Sequence, residues 1–98
     1  MSLARGAVVL VDLEPTEGHE PQGTRPCVVV PVTGTPAQGA LYPDLAPGAS
    51  GLTKPSTALV DQVRSIDKQR IRRRYGQVSA AELEAIDRGL CLYLGLEL

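Results

Sequence analysis

Ninety-eight residues with no Phe, no Trp and three Tyr make a single domain, 1–98, with a small core of Val, Leu, Ile and Ala that a second subunit would help to complete. The net charge of −1 excludes a generally adhesive polycation, and no apolar run is long enough to span a membrane. No signal peptide opens the chain, and Cys27 and Cys91 sit in apolar runs like small hydrophobes in a reducing compartment, so the expected location is the cytoplasm.

Arg5-Gly6 leads into an apolar, β-rich run over 7–13 that reads as a mostly buried central strand. A polar loop follows, punctuated by Pro15, Gly18, Pro21, Gly23 and Pro26, where neither helix nor strand can persist. It carries Glu17, His19, Glu20, Gln22 and Arg25, and it is anchored by a β-branched strand over 27–30. Polar side chains on a loop held by a rigid scaffold are a common way to present a site. Residues 31–35 look like another strand, abutting the last without a turn. Two antiparallel neighbours need a connection, so residues are expected to be absent at Val30-Pro31.

Residues 36–55 are rich in Gly and Pro, with possible edge strands at 40–42 and 50–52. Residues 56–63 alternate as a strand, and 65–67 turn into a basic segment. Between Arg64 and Tyr75, six basic side chains face Asp67 alone, a local positive field suited to a polyanion. Residues 72–78 read as a last strand with Gly76 as a bulge or bend. Ser79-Ala80-Ala81-Glu82 is a capping box opening a helix. Leu83, Ile86, Leu90, Tyr93 and Leu94 recur at helical spacing, Gly95 stops the helix, and Gly89 within it marks close packing. Short antiparallel strands followed by a helix make an α+β domain with a bent sheet closing towards a small barrel.

One His, two distant Cys and no paired carboxylates leave no metal constellation, and no Gly-rich loop precedes a helix for nucleotide binding. Cleavage of RNA without a metal or other cofactor remains open to such a chain, because RNA carries its own nucleophile in the 2′-hydroxyl. The site then needs a proton acceptor, a cation at the phosphorane and a hydrogen-bond donor. Arg25 is the best cation, since a guanidinium can hold phosphate bidentately and stays charged.

The words RG at Arg5, DLEPTEGHE from Asp12, GTRP from Gly23 and VDQVRSID over 60–67 occur in an order that resembles the MazF/PemK (Kid) family of toxin endoribonucleases. The resemblance implies an SH3-like antiparallel β-barrel with a C-terminal helix, assembled as a homodimer. It implies that Arg25 and Thr33 are catalytic, Thr33 through a hydroxyl bonded to the same phosphate. Glu20 corresponds to a glutamate of the family, acting as base or as a positioner of Arg25. Gln62, Arg64 and Ser65 fall near the implied RNA groove or dimer surface, and His19 and Gln22, on the polar loop, are further RNA-binding candidates. Recognition of single-stranded RNA usually stacks bases on aromatics; with few here, Arg, Gln and backbone groups would carry it.

The implied activity is sequence-specific, metal-independent cleavage of single-stranded mRNA to a 2′,3′-cyclic phosphate and a 5′-hydroxyl. The implied partner is a MazE-like antitoxin whose acidic tail folds onto the basic groove, with no DNA bound by the toxin alone. Two alternatives stand beside it: a non-enzymatic CcdB-like toxin docking on DNA gyrase, and an inactive antitoxin-binding relic.

Overall fold

The computed structural model describes residues 3–13 and 26–97. Among them the strands are β1 (Ala7–Val11), β2 (Pro26–Val29), β3 (Val32–Thr33), β4 (Asp44–Leu45), β5 (Ser56–Ala58), β6 (Arg64–Asp67) and β7 (Ile71–Gln77). One helix follows, α1 (Ala80–Leu94), and 3₁₀ turns occupy Val60–Gln62 and Lys68–Arg70. This is an α+β domain of antiparallel strands with a C-terminal helix. The ladders form three patches: β1 with β7, β2 with β6, and β5 between β3 and β4.

The strand expected at 7–13 is shorter; among the described residues it pairs with β7, and its side chains are half-buried except Leu10, 43 % exposed. The edge strands expected at 40–42 and 50–52 are turns, and Asp44–Leu45 takes that role against β5. Leu45 is the reason, since its side chain is fully buried beside Ala58 and Val78.

The main ribbon pairs 26–33 with 56–67. Pro26 faces Asp67 and Val29 faces Arg64, whereas Val32 faces Ala58 and Thr33 faces Thr57. The second half is therefore displaced by three residues, and the 3₁₀ turn Val60–Gln62 absorbs them. That turn replaces the second part of the strand expected over 56–63, and residues 65–67, expected as a turn, belong to β6. Two contacts hold the turn in place. Val60 is completely buried beneath Gly89 of α1, where an added Cβ would meet its Cγ2 at 3.2 Å. The Tyr42 hydroxyl donates to Asp61 at 2.7 Å, and this bond raises the tyrosine pKa above its usual value.

The ribbon also settles how Val30-Pro31 can join two strands. β2 and β3 are not each other's neighbours; the chain runs straight on from the partner β6 to the partner β5. No turn is needed, so the steric argument for absent residues falls away. Pro31 sits at the irregular point of the ribbon, where its carbonyl accepts from Leu59 N at 2.8 Å and a missing N–H breaks no ladder.

Helix α1 begins with the full capping box. Glu82 N donates to Ser79 Oγ at 3.1 Å, and Ser79 N donates to Glu82 Oε1 at 2.8 Å. Gly95 closes it in the left-handed conformation, φ 71°, with Leu96 N reaching back to Cys91 O. Leu83 and Ile86 pack on the core as the spacing predicts. Tyr93 and Leu94 do not, being 48 % and 56 % exposed, because the last turn of the helix runs past the small core.

The second carboxylate oxygen of Glu82 accepts from Ala46 N at 2.6 Å, fastening the 46–52 loop to the helix start. Burial pushes this carboxyl's pKa up, but the Ser79 and Ala46 amides and the Ser79 hydroxyl outweigh it and leave it lowered. A lowered folded-state pKa gives stability that is present above the unfolded value of 4.5 and is lost as pH falls below that value. Glu82→Ala should cost about 1 kcal/mol at pH 7, a typical cap contribution. The difference from wild type should shrink as pH drops below 4.5 in urea-unfolding curves, and a constant gap would remove the carboxylate from this role.

Candidate active site

Thr33 ends β3 opposite the buried Thr57. Its Oγ1 accepts from Thr35 N at 3.1 Å, a local turn that fixes the hydroxyl and turns the chain at Gly34. A hydroxyl is one donor and two acceptors, so this bond leaves the hydroxyl hydrogen available to an incoming oxygen. Across the same turn lies Lys54, to which the sequence reading gave no role; its Nζ would be 2.6 Å from a Cβ placed on Gly34. A glycine beside the candidate threonine was the available signal for it.

Gln62, Arg64 and Ser65 are all exposed, from the end of the 3₁₀ turn into β6. Ser65 faces Val28, which is 71 % exposed, and Arg64 faces Val29. All three lie along the ribbon that carries Thr33, Arg64 and Ser65 as consecutive strand residues on its opposite faces, with Val29 four residues before Thr33. Of the other expected site residues, His19, Glu20, Gln22 and Arg25 lie outside the described residues. Arg25 is bonded to Pro26, the first residue of β2. Seven residues of strand path, up to about 24 Å at ~3.4 Å per residue, separate Pro26 from Thr33.

The basic segment is less of a free field than its composition suggests. Arg72 pairs with Asp12 at 2.8 Å, and Arg70 Nη1 donates to the Asp12 carbonyl at 3.4 Å. Arg73 stacks on Tyr75, its guanidinium carbon 4.7 Å from the ring centre. Arg74 donates to Gln77 at 3.0 Å. Residues 72–75 are all exposed because β7 bulges twice against β1, at Tyr75 and at Arg72, so strict alternation is lost. Gly76 adjoins the first bulge, as expected.

Among the described residues no three His, Cys, Asp or Glu side chains stand close enough to share a metal ion. No described helix is long and apolar enough to cross a membrane.

The family model for the PemK-like, MazF-like toxin of type II toxin–antitoxin systems matches residues 4–94. Endoribonuclease MazF9 of Mycobacterium tuberculosis is 35 % identical, with 96 % of this chain and 98 % of the relative covered. That alignment is 117 residues long, more than this chain contains, so the relative has residues that this chain lacks. In overall fold the chain is similar to an endoribonuclease in complex with its cognate antitoxin from a mycobacterial species. There the TM-score is 0.76 at 22 % identity, with 99 % of each chain covered. A second mycobacterial endoribonuclease gives a TM-score of 0.74 at 23 % identity over 96 % of this chain and 92 % of that one. Toxin MazF-mt6 of Mycobacterium tuberculosis gives 0.67 at 22 % identity, covering 74 % and 73 %. With its motif words in order, nearly its whole length matched and the fold shared, the chain belongs to the PemK/MazF family of toxin endoribonucleases of type II toxin–antitoxin systems.

Proposed function

We propose that this chain is a sequence-specific endoribonuclease that cuts single-stranded mRNA without a metal ion and is held inactive by a MazE-like antitoxin. The observation that carries the reading is the Thr33 hydroxyl, fixed by the Thr35 amide with its own hydrogen free, on a family member that keeps the G-x-R-P arginine. In the reaction the ribose 2′-oxygen attacks the adjacent phosphorus and the P–O5′ bond breaks. Glu20 accepts the 2′-hydroxyl proton or orients Arg25, and Arg25 neutralises the phosphorane. Thr33 donates to a phosphate oxygen. The departing O5′ takes a proton from solvent water, leaving a 2′,3′-cyclic phosphate and a 5′-hydroxyl.

His19, Gln22, Gln62, Arg64 and Ser65 line the path of the RNA in this reading, and the last three are supported by their common exposure along the ribbon. The acidic antitoxin tail occupies the same positive surface and excludes RNA. Leu10, Leu13, Leu92 and Leu96 are each more than two-fifths exposed, apolar side chains that a second subunit in a homodimer would cover. The short, bulged strands fit an SH3-like barrel, and the toxin works in the cytoplasm without binding DNA by itself.

The test is incubation of the purified protein with a long RNA in EDTA. We expect discrete fragments whose 5′ ends share a short sequence and carry hydroxyl groups. RNA left intact, or cut only when a divalent metal is restored, would overturn the proposal; intact RNA together with gyrase binding would replace it with the non-enzymatic reading.

A further inference from the structure

Resting on the reading above, which brings a phosphate to Thr33, we propose that Lys54 is the cation that holds that phosphate, and that residue 34 is glycine to make room for it. A Cβ on Gly34 would lie 2.6 Å from Lys54 Nζ and 3.7 Å from its Cδ, so the lysine chain fills the volume a side chain would occupy. Gly34 does not have a positive φ, so the backbone conformation does not demand glycine there. The demand is for space, and Lys54 is what uses the space.

Local structure explains how the lysine arrives. Ser56 Oγ donates to the Lys54 carbonyl at 3.0 Å, tying the residue to the start of β5. Antiparallel pairing of Thr33 with Thr57 then sets Lys54 beside the end of β3, from where its chain folds back across Gly34. Among the described residues no carboxylate forms an ion pair with it. An ammonium offers only donors, and the Thr33 hydroxyl, on the residue before Gly34, has a hydrogen to donate. Two donors, one of them charged, at one turn form a receptor for a phosphodiester oxygen.

A lysine that merely covers the turn with its methylene chain would look similar, so the test separates charge from volume. Lys54→Met keeps the chain and removes the charge, Lys54→Arg keeps the charge, and Gly34→Ala displaces the lysine. The probe is a 2′-O-methyl RNA oligonucleotide bearing a sequence the wild type cleaves, titrated at several salt concentrations, alongside steady-state cleavage of the unmodified RNA. For Lys54→Met we expect binding and KM to worsen roughly 5- to 10-fold, and the slope of log K against log salt to flatten by about 0.7, one phosphate contact on a single strand. Lys54→Arg should restore the slope. Gly34→Ala should behave like Lys54→Met while melting near the wild-type temperature, since a flexible side chain gives way. A wild-type slope and KM in Lys54→Met, with the wild type cleaving, would overturn the assignment of Lys54 alone. A wild type that neither cleaves RNA nor binds the probe would overturn the ribonuclease reading and this inference with it.

Discussion

Arg25→Ala is expected to lower RNA cleavage by roughly 10²- to 10³-fold or more, the usual loss when a preorganised donor to developing charge is removed. The thermal midpoint should stay close to wild type. Thr33→Val, which keeps shape and removes the hydroxyl, should cost less, since a neutral hydrogen bond is weaker than a charged one. The double variant then reports whether the two side chains act on one phosphate. Groups that grip the same atom lose their effects together, whereas groups acting at separate places add. The sequence resemblance implies the shared phosphate. With both groups acting at the cleaved diester, we expect clearly non-additive losses, the double variant being little slower than Arg25→Ala. Near-additive losses would place Thr33 at another phosphate of the same strand. Arg25→Ala with full activity would remove Arg25 from the mechanism.

Gly76→Ala should be strongly destabilising for so small a substitution. A Cβ there would stand 2.5 Å from Ser50 C and 2.7 Å from Ser50 O, both backbone atoms. The approach exists because Gln77 N donates to Ala49 O at 3.0 Å, pulling the 46–52 loop onto β7. That loop cannot retreat cheaply. Ala46 N is held by Glu82, Ser50 Oγ donates to Ala46 O at 2.7 Å, and Leu52 N donates to Ser50 Oγ at 3.2 Å. Forcing a methyl group into such contact costs about 3 kcal/mol, at the upper end of overpacking effects. For a domain of this size, 1 kcal/mol moves the midpoint by about 4–8 °C, so a fall of roughly 12–24 °C should appear in a circular-dichroism melt. The comparison is Gly34→Ala, where the obstacle is a flexible lysine rather than backbone. A Gly76→Ala midpoint within about 3 °C of wild type would show that the loop yields.

Elements whose cause lies within a few residues could be read from the order of amino acids. The capping box at Ser79–Glu82 and the left-handed stop at Gly95 follow from local hydrogen bonds and, at Gly95, from the absence of a Cβ. The family was legible too, because its words keep their order along the chain. Tertiary structure alone decided what depends on partners distant in sequence. Val60–Gln62 became a 3₁₀ turn because Val60 is buried under Gly89 and the ribbon had three residues to absorb, which no local alternation reveals. Tyr93 and Leu94 kept helical spacing but stayed exposed, since spacing names a face and only the extent of the core says where that face ceases to be covered. Lys54 lies across Gly34 for the same reason: antiparallel pairing joins Thr33 to Thr57, twenty-four residues on, and which side chain crosses the turn is set by which strands meet.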